Sequence, residues 1–210
     1  MAKIFFTALT VGFSGAMMPG SLLTYTIKQS LTHGPYSGFI ITLGHALLEL
    51  VLIILILLGL DIILQSDAAQ ITIGIAGGLM LAYMGADMMI KSIKNKISVH
   101  TDGERSGSRN MLLSGALISA ANPYFLLWWA VIGLVLMMNS YDSFGIAGVC
   151  VYFFGHISAD FIWYGAVTII VGTTRKFIKQ TPYRIVIAIL GGLLIFFGGN
   201  FVYGAVTKLL

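Results

Sequence analysis

Two long apolar segments of this chain carry the same polar motif, and that motif restricts what the chain can fold into. Gly44-His45-Ala46-Leu47-Leu48-Glu49 recurs as Gly155-His156-Ile157-Ser158-Ala159-Asp160. Residues four apart share one face of a helix, so each copy is a histidine–carboxylate pair on one helical face. Each pair sits deep in an apolar run. A charge at the centre of a bilayer costs at least about 2.5–3.5 kcal/mol on insertion scales. A polar pair kept there points to a functional site, and its repetition points to two related halves.

Composition places these runs in a membrane. The chain is 58% hydrophobic and 10% charged, with a mean hydropathy of +0.93, whereas soluble domains carry roughly 25% charged residues. A crossing needs about 20 apolar residues. The 210 residues therefore fit six spans with short loops, and no separate soluble domain. The net charge of +4 is not a nucleic-acid signal, since basic residues also set membrane orientation. The single cysteine, Cys150, excludes an intramolecular disulfide and a dithiol redox mechanism, and reads as a packing residue. The start of the chain, Met1 to Phe6, resembles a signal peptide. It continues into residues that match a later segment, so it is expected to remain part of the fold.

Polar breaks divide the chain into spans near 3–30, 36–65, 69–92, 110–138, 143–174 and 182–208. The polar stretch 94–109 reads as a cytoplasmic hinge loop between a first repeat, 1–93, and a second, 110–210. Three landmarks recur in order across it. Ser14-Gly15-Ala16 before Pro19 matches Ser114-Gly115-Ala116 before Pro123. Gly38 with Gly44-His45 matches Gly148 with Gly155-His156, and Gly77-Gly78 with Gly85 matches Gly191-Gly192 with Gly199. Three spans per half force the second half to enter from the opposite side. The expected fold class is an all-α membrane protein of six transmembrane helices arranged as two inverted three-helix repeats. In that topology ten Lys and Arg side chains share one side and only Lys3 and Lys208 the other, so the basic side is cytoplasmic and both termini lie outside.

Pro19-Gly20 falls near the middle of the first span and Asn122-Pro123 in the matching zone of the fourth. Proline removes a backbone donor, and freed backbone groups at membrane depth are tolerated only against protein or a wet cavity. Matched breaks in two halves mark a transporter binding site. Pro19, Gly20, Asn122 and Pro123 are therefore the candidate substrate-binding residues, with helix ends suited to a carboxylate. Either break taken alone also reads as a packing kink.

His45, Glu49, His156 and Asp160 are the candidates for proton coupling or substrate contact, since histidine titrates in the neutral range. Two further readings stay open for them: a polar staple between helices, or the ligand set of a divalent transition metal. Asp87 reads as an interfacial residue. The Gly-Gly pairs read as close-packing surfaces, and Tyr124, Trp128 and Trp129 as cavity lining or packing. No further nucleophile–base constellation and no nucleotide motif is present, so neither an enzyme nor a cofactor is expected.

Gly15-Ala16 followed by Pro19-Gly20, the series Gly34, Gly38 and Gly44, and Asn122-Pro123 running into Leu126-Leu127-Trp128-Trp129 resemble the LysE/RhtB superfamily of amino-acid exporters over nearly the whole chain. The resemblance implies a small secondary transporter in the plasma membrane of a prokaryote, exporting amino acids on the proton gradient or membrane potential. Its partners would be a small-molecule substrate and the bilayer, and its glycine faces are compatible with a homodimer. The family's usual Pro-Gly-Pro is Pro19-Gly20-Ser21 here, and the repeated His–acid motif is not a hallmark of its amino-acid branches. A divalent-cation exporter is the alternative.

Overall fold

Pro19 cannot donate a backbone hydrogen bond, and the first apolar run turns where it stands. In the computed structural model, which describes residues 1–64, 66–94, 108–174, 177 and 179–208, helix α1 (Ala2–Ala16) and helix α2 (Ser21–His33) meet at 79°. Gly34, with φ of 94°, ends α2 and starts the turn into α3 (Ser37–Leu55). Helix α3 widens into a π-helical turn at Ile56–Leu60 and is followed by α4 (Asp61–Leu64). The side chain of Ser66 caps the next helix, α5 (Asp67–Ile93), by accepting the N–H of Ala69. After α6 (Ser108–Ala120), Asn122 caps α7 (Pro123–Trp128), which runs through a second π turn, Trp129–Gly133, into α8 (Leu134–Thr174) and then α9 (Gln180–Thr207). Every regular element among the described residues is helical.

Four of these helices are long and apolar enough to cross a membrane, or five when the bent pair α1 and α2 counts as one span. The sequence suggested six. The difference lies in the fourth and fifth expected spans. Helix α6 is too short to cross alone, and the continuous apolar stretch 124–174 is 51 residues long. Within that stretch the backbone leaves helical geometry at Phe144 (φ −145°, ψ 16°) and Gly145 (φ 59°, ψ −146°). Most of the expected hinge loop, 95–107, lies outside the described residues. So do Lys96, His100, Arg105, Arg175 and Lys176, and the side chain of Arg109.

The helices pack in pairs: α5 against α9, α1 against α8, and α3 against α6. Small residues set how closely these pairs approach, as in other membrane helix pairs. In the α5–α9 pair, a Cβ on Gly78 would stand 2.6 Å from the carbonyl oxygen of Gly198, and one on Gly191 would stand 2.7 Å from that of Gly85. Gly192 and Gly199 face open space instead, so only one residue of the 191–192 pair packs against its neighbour.

An arginine locks one end of that pair. Arg184 Nε donates to the carbonyl of Ser92 at 2.7 Å and its Nη2 to that of Ile93 at 3.4 Å, while Ser92 Oγ donates back to the carbonyl of Arg184 at 2.7 Å. These are last-turn carbonyls of α5, which lack intrahelical partners, and a cation there also meets the negative end of the helix dipole. Hydrogen bonds to charged groups contribute about 1.5–3 kcal/mol. Arg184→Ala is expected to lower stability by about that amount, read as a fall in the thermal unfolding midpoint in detergent.

Candidate functional site

The two His–acid motifs meet. Helix α3 presents His45 and Glu49 on its buried face, and the far arm of α8 presents His156 and Asp160. His156 Nε2 lies 2.9 Å from Glu49 Oε1, a hydrogen bond between helices. His45 Nε2 is 3.4 Å from Glu49 Oε1 and 3.8 Å from Asp160 Oδ1. His156 Nε2 is 3.9 Å from Asp160 Oδ2. The cross-motif contact between His156 and Glu49 is thus shorter than any contact within a motif. All four side chains are buried, Glu49 to 1% exposure.

Two residues that sequence reasoning did not place in the cluster complete it. Trp129, on the π turn after α7, donates its Nε1–H to Glu49 Oε1 at 3.1 Å. Ser119, near the end of α6, lies 2.8 Å from His45 Nδ1 and donates its own proton to the carbonyl of Gly115 at 2.7 Å. With its hydroxyl proton committed there, Ser119 accepts, so His45 Nδ1 is the donor. His45 Nε2 then faces two carboxylates. A carboxylate only accepts hydrogen bonds, so a further proton is needed in this gap, on the ring or on an acid. The imidazole of His156 is held between aromatic rings: Trp128 stacks at 4.7 Å and Tyr152 lies parallel within 3° at 6.0 Å.

The charge balance of the cluster is its main chemical property. With neutral imidazoles the two carboxylates carry two negative charges, and buried charges persist only when paired. Glu49 Oε2, Asp160 Oδ2 and His156 Nδ1 are buried without a hydrogen-bond partner. That charge is balanced by protons on the rings or on the acids, by a substrate ammonium, or by a metal cation. One ligand atom from each of His45, Glu49 and Asp160 lies within 4.8 Å of the others.

The cluster forms one wall of a cavity of about 40 Å³ whose other walls include Gly15, Gly20, Asn122, Tyr124 and Trp128. Both helix breaks therefore reach the same space. The amide nitrogen of Asn122 lies 3.4 Å from where a Cβ on Gly20 would stand. No side chain caps the start of α2, where Gly20 and Leu22 line the cavity, whereas at α7 the side-chain Oδ1 of Asn122 accepts the N–H of Tyr124. Pro19 makes the bend but is not part of the cavity wall, and the side chain of Pro123 lies outside the described residues. About 10–15 Å³ of such space holds one water, so the cavity admits a few waters or an ion. An amino acid requires it to widen.

Three further polar residues, Asp87, Thr24 and Ser14, have structural partners, whereas the hydroxyls of Ser21 and Thr26 are buried without one. Asp87 pairs with Lys91 at 2.6 Å on the exposed side of α5. Thr24 donates to the carbonyl of Gly20, and Ser14 donates to that of Val11 while accepting from Trp128 Nε1 at 3.2 Å. Cys150 is exposed on the apolar outer face of α8.

Broken helices around a buried His–carboxylate cluster in an all-helical membrane protein are features found in membrane transporters. Residues 13–205 match the LysE type translocator family, and the chain belongs to that family. Chemotactic transduction protein ChpE of Pseudomonas aeruginosa is 27% identical over 199 residues, 95% of this chain and 97% of that protein. Putative amino acid efflux protein YcgF of Bacillus subtilis is 23% identical over 208 residues, 99% of each chain. Leucine efflux protein of Enterobacter sp. is 25% identical over 126 residues, 60% of this chain and 59% of that one. No solved structure matches.

Proposed function

We propose that this translocator is a secondary active exporter of amino acids or related small metabolites, driven by the proton gradient or the membrane potential. The observation that carries the reading is the meeting of His45, Glu49, His156 and Asp160 in one buried cavity that both helix breaks also line. The uncapped start of α2 and the side-chain amide of Asn122 suit a substrate carboxylate. The two acids suit either its ammonium or the protons that replace it, so cargo and protons compete for one charge-deficient site. The efflux names of the Bacillus and Enterobacter relatives support the cargo class.

In this reading the chain has six spans in two inverted three-helix repeats, 1–93 and 110–210. At about 1.5 Å per residue the stretch 124–174 is more than twice as long as a bilayer core is thick, and its break at Phe144–Gly145 supports two spans there. The pairing of α1 with α8, α3 with α6 and α5 with α9 stays unchanged when the halves are exchanged, as an inverted repeat requires. Lys28, Lys91, Lys94, Lys179 and Arg184 cluster at the ends of α2 and α5 and the start of α9, which supports a cytoplasmic face there and termini outside.

One observation favours a second reading, export of a divalent cation: the close grouping of His45, Glu49 and Asp160 ligand atoms. A single experiment separates the two. Purified protein in proteoliposomes is loaded in turn with a panel of amino acids and with zinc or manganese. Acidification driven by export of at least one amino acid is expected. Metal flux with no amino-acid flux would replace the first reading with the second.

A further inference from the structure

We infer that a three-helix hydrogen-bond chain through Gly38, Thr168 and Ser30 is the latch that closes one end of the transport path, opposite an open vestibule at Tyr152. The inference rests on the secondary-transport reading above, in which the central site opens to one face of the membrane at a time, and it assigns the two gates.

Helix α8 carries both ends. Tyr152 and Thr168 lie eight residues to either side of Asp160, about 12 Å each way along the helix. On the Tyr152 side, a vestibule of about 480 Å³ opens between the start of α1 and the α8 segment before its break, lined by Lys3, Thr7, Asn139, Ser140 and Tyr152 among others. It is an order of magnitude larger than the central cavity. Tyr152 is among its lining residues and its ring lies parallel to that of His156 at 6.0 Å, so one side chain borders both the vestibule and the cluster. The Tyr152 hydroxyl is buried without a hydrogen-bond partner, so no such bond fixes the ring in place.

The other end is sealed. Gly38 is the second residue of α3, so its N–H has no intrahelical acceptor; it donates to Thr168 Oγ1 at 3.1 Å. The Thr168 and Ser30 hydroxyls lie 2.7 Å apart, and Ser30 donates its proton to the carbonyl of Thr26 at 2.7 Å. Thr168 must therefore be the donor to Ser30. One directed chain ties α3 to α8 to α2, through Ser30 and Thr168 side chains that are 0% exposed. The fit is steric as well: a Cβ on Gly38 would stand 2.6 Å from Thr168 Cβ. One turn further along α8, a Cβ on Gly172 would stand 2.5 Å from the nitrogen of Pro35, a second tight layer. Between this seal and the cluster, Thr42 on α3 is 0% exposed and its hydroxyl has no partner.

The chain can switch because its parts are few and polar. Parting α2 and α3 from α8 exposes two hydroxyls and one amide to water, which satisfies them as well as they satisfy one another.

The test is thiol accessibility in sealed vesicles, with a membrane-impermeant maleimide applied to each face separately. Cys150→Ser removes the native thiol. A reporter Thr42→Cys reads the latched end and a reporter Ser140→Cys reads the vestibule. Thr168→Val keeps the shape of the side chain and deletes both of its hydrogen bonds. It is expected to raise labelling at position 42 from the latched face about tenfold or more and to lower labelling at position 140 from the other face. Thr168→Ser, which keeps the hydroxyl, should restore both rates. Labelling that rises at both positions would indicate a loosened fold, and unchanged labelling would indicate a static contact; either result overturns the latch. Should Thr168→Val fail to fold, Ser30→Ala reads the same chain from its other member. The assay needs neither substrate nor gradient, so it remains decisive even if proteoliposomes of the unaltered protein move no amino acid, the result that defeats the transport reading.

Discussion

Glu49→Gln is expected to reduce proton-driven export by about 100- to 1000-fold with little change in fold. Glu49 Oε1 accepts from Trp129 at 3.1 Å and from His156 at 2.9 Å, and it is the acid nearest to His45. A glutamine has the same shape, and its carbonyl oxygen can keep both hydrogen bonds. Only the charge and the capacity to take a proton are lost. A positioned proton-transferring side chain typically contributes about 100- to 10,000-fold to a rate, and the stated range is the lower part of that span. Asp160→Asn should cost less. Its nearest ring nitrogens stand at 3.8 and 3.9 Å, and its Oδ2 has no hydrogen bond to lose. The measurement is initial export rate in proteoliposomes at matched protein load, with the unfolding midpoint as the fold control. A Glu49→Gln protein that retains a tenth of the unaltered rate would remove Glu49 from the transport mechanism.

The parts of this site that the sequence exposed are those where local chemistry conflicts with its surroundings. His45 with Glu49 and His156 with Asp160 were legible because polar residues at helical spacing have no structural need to sit in apolar runs. The bend at Pro19-Gly20 was legible because proline cannot continue the helix and glycine does not favour it. What stayed hidden depends on how helices meet. Ser119 is one hydroxyl in an apolar helix, and such serines usually bond their own backbone, as Ser119 also does with Gly115. Only the approach of α3 gives it His45 as a partner. Trp129 reads equally as packing until the π turn at Trp129–Gly133 directs its indole N–H at Glu49. The latch was hidden for the same reason, since Gly38, Thr168 and Ser30 have ordinary local roles and acquire their function across three helices. The glycine repeats carried their meaning with an ambiguity of one residue. Neighbouring glycines differ in sequence by nothing, yet Gly191 touches α5 and Gly192 does not.

The largest expected loss of stability comes from the glycines that hold α3 against α6. A Cβ on Gly44 would overlap the backbone carbonyl of Leu112, and a Cβ on Gly115 would overlap that of Ile41. The obstacles are main-chain atoms of the facing helix, which cannot rotate aside as a side chain can. The helices have to move apart, and their separation breaks the contact of 2.8 Å between His45 and Ser119, because these residues ride on the same two helices. Overpacking of a tight interior costs about 1–3 kcal/mol and occasionally more; with backbone as the obstacle, Gly44→Ala and Gly115→Ala are each expected at about 3 kcal/mol or above. The two substitutions strain the same interface from opposite sides, so the double variant should lose less than the sum. Gly192→Ala and Gly199→Ala supply the controls. Both positions face open space, and alanine in a helix is favoured over glycine by about 0.5–1 kcal/mol, so these variants should be unchanged or slightly more stable. Thermal unfolding in detergent checks all five proteins together. If Gly44→Ala melts with the controls, α3 and α6 do not approach as described, and the bond that His45 Nδ1 donates to Ser119 falls with that contact.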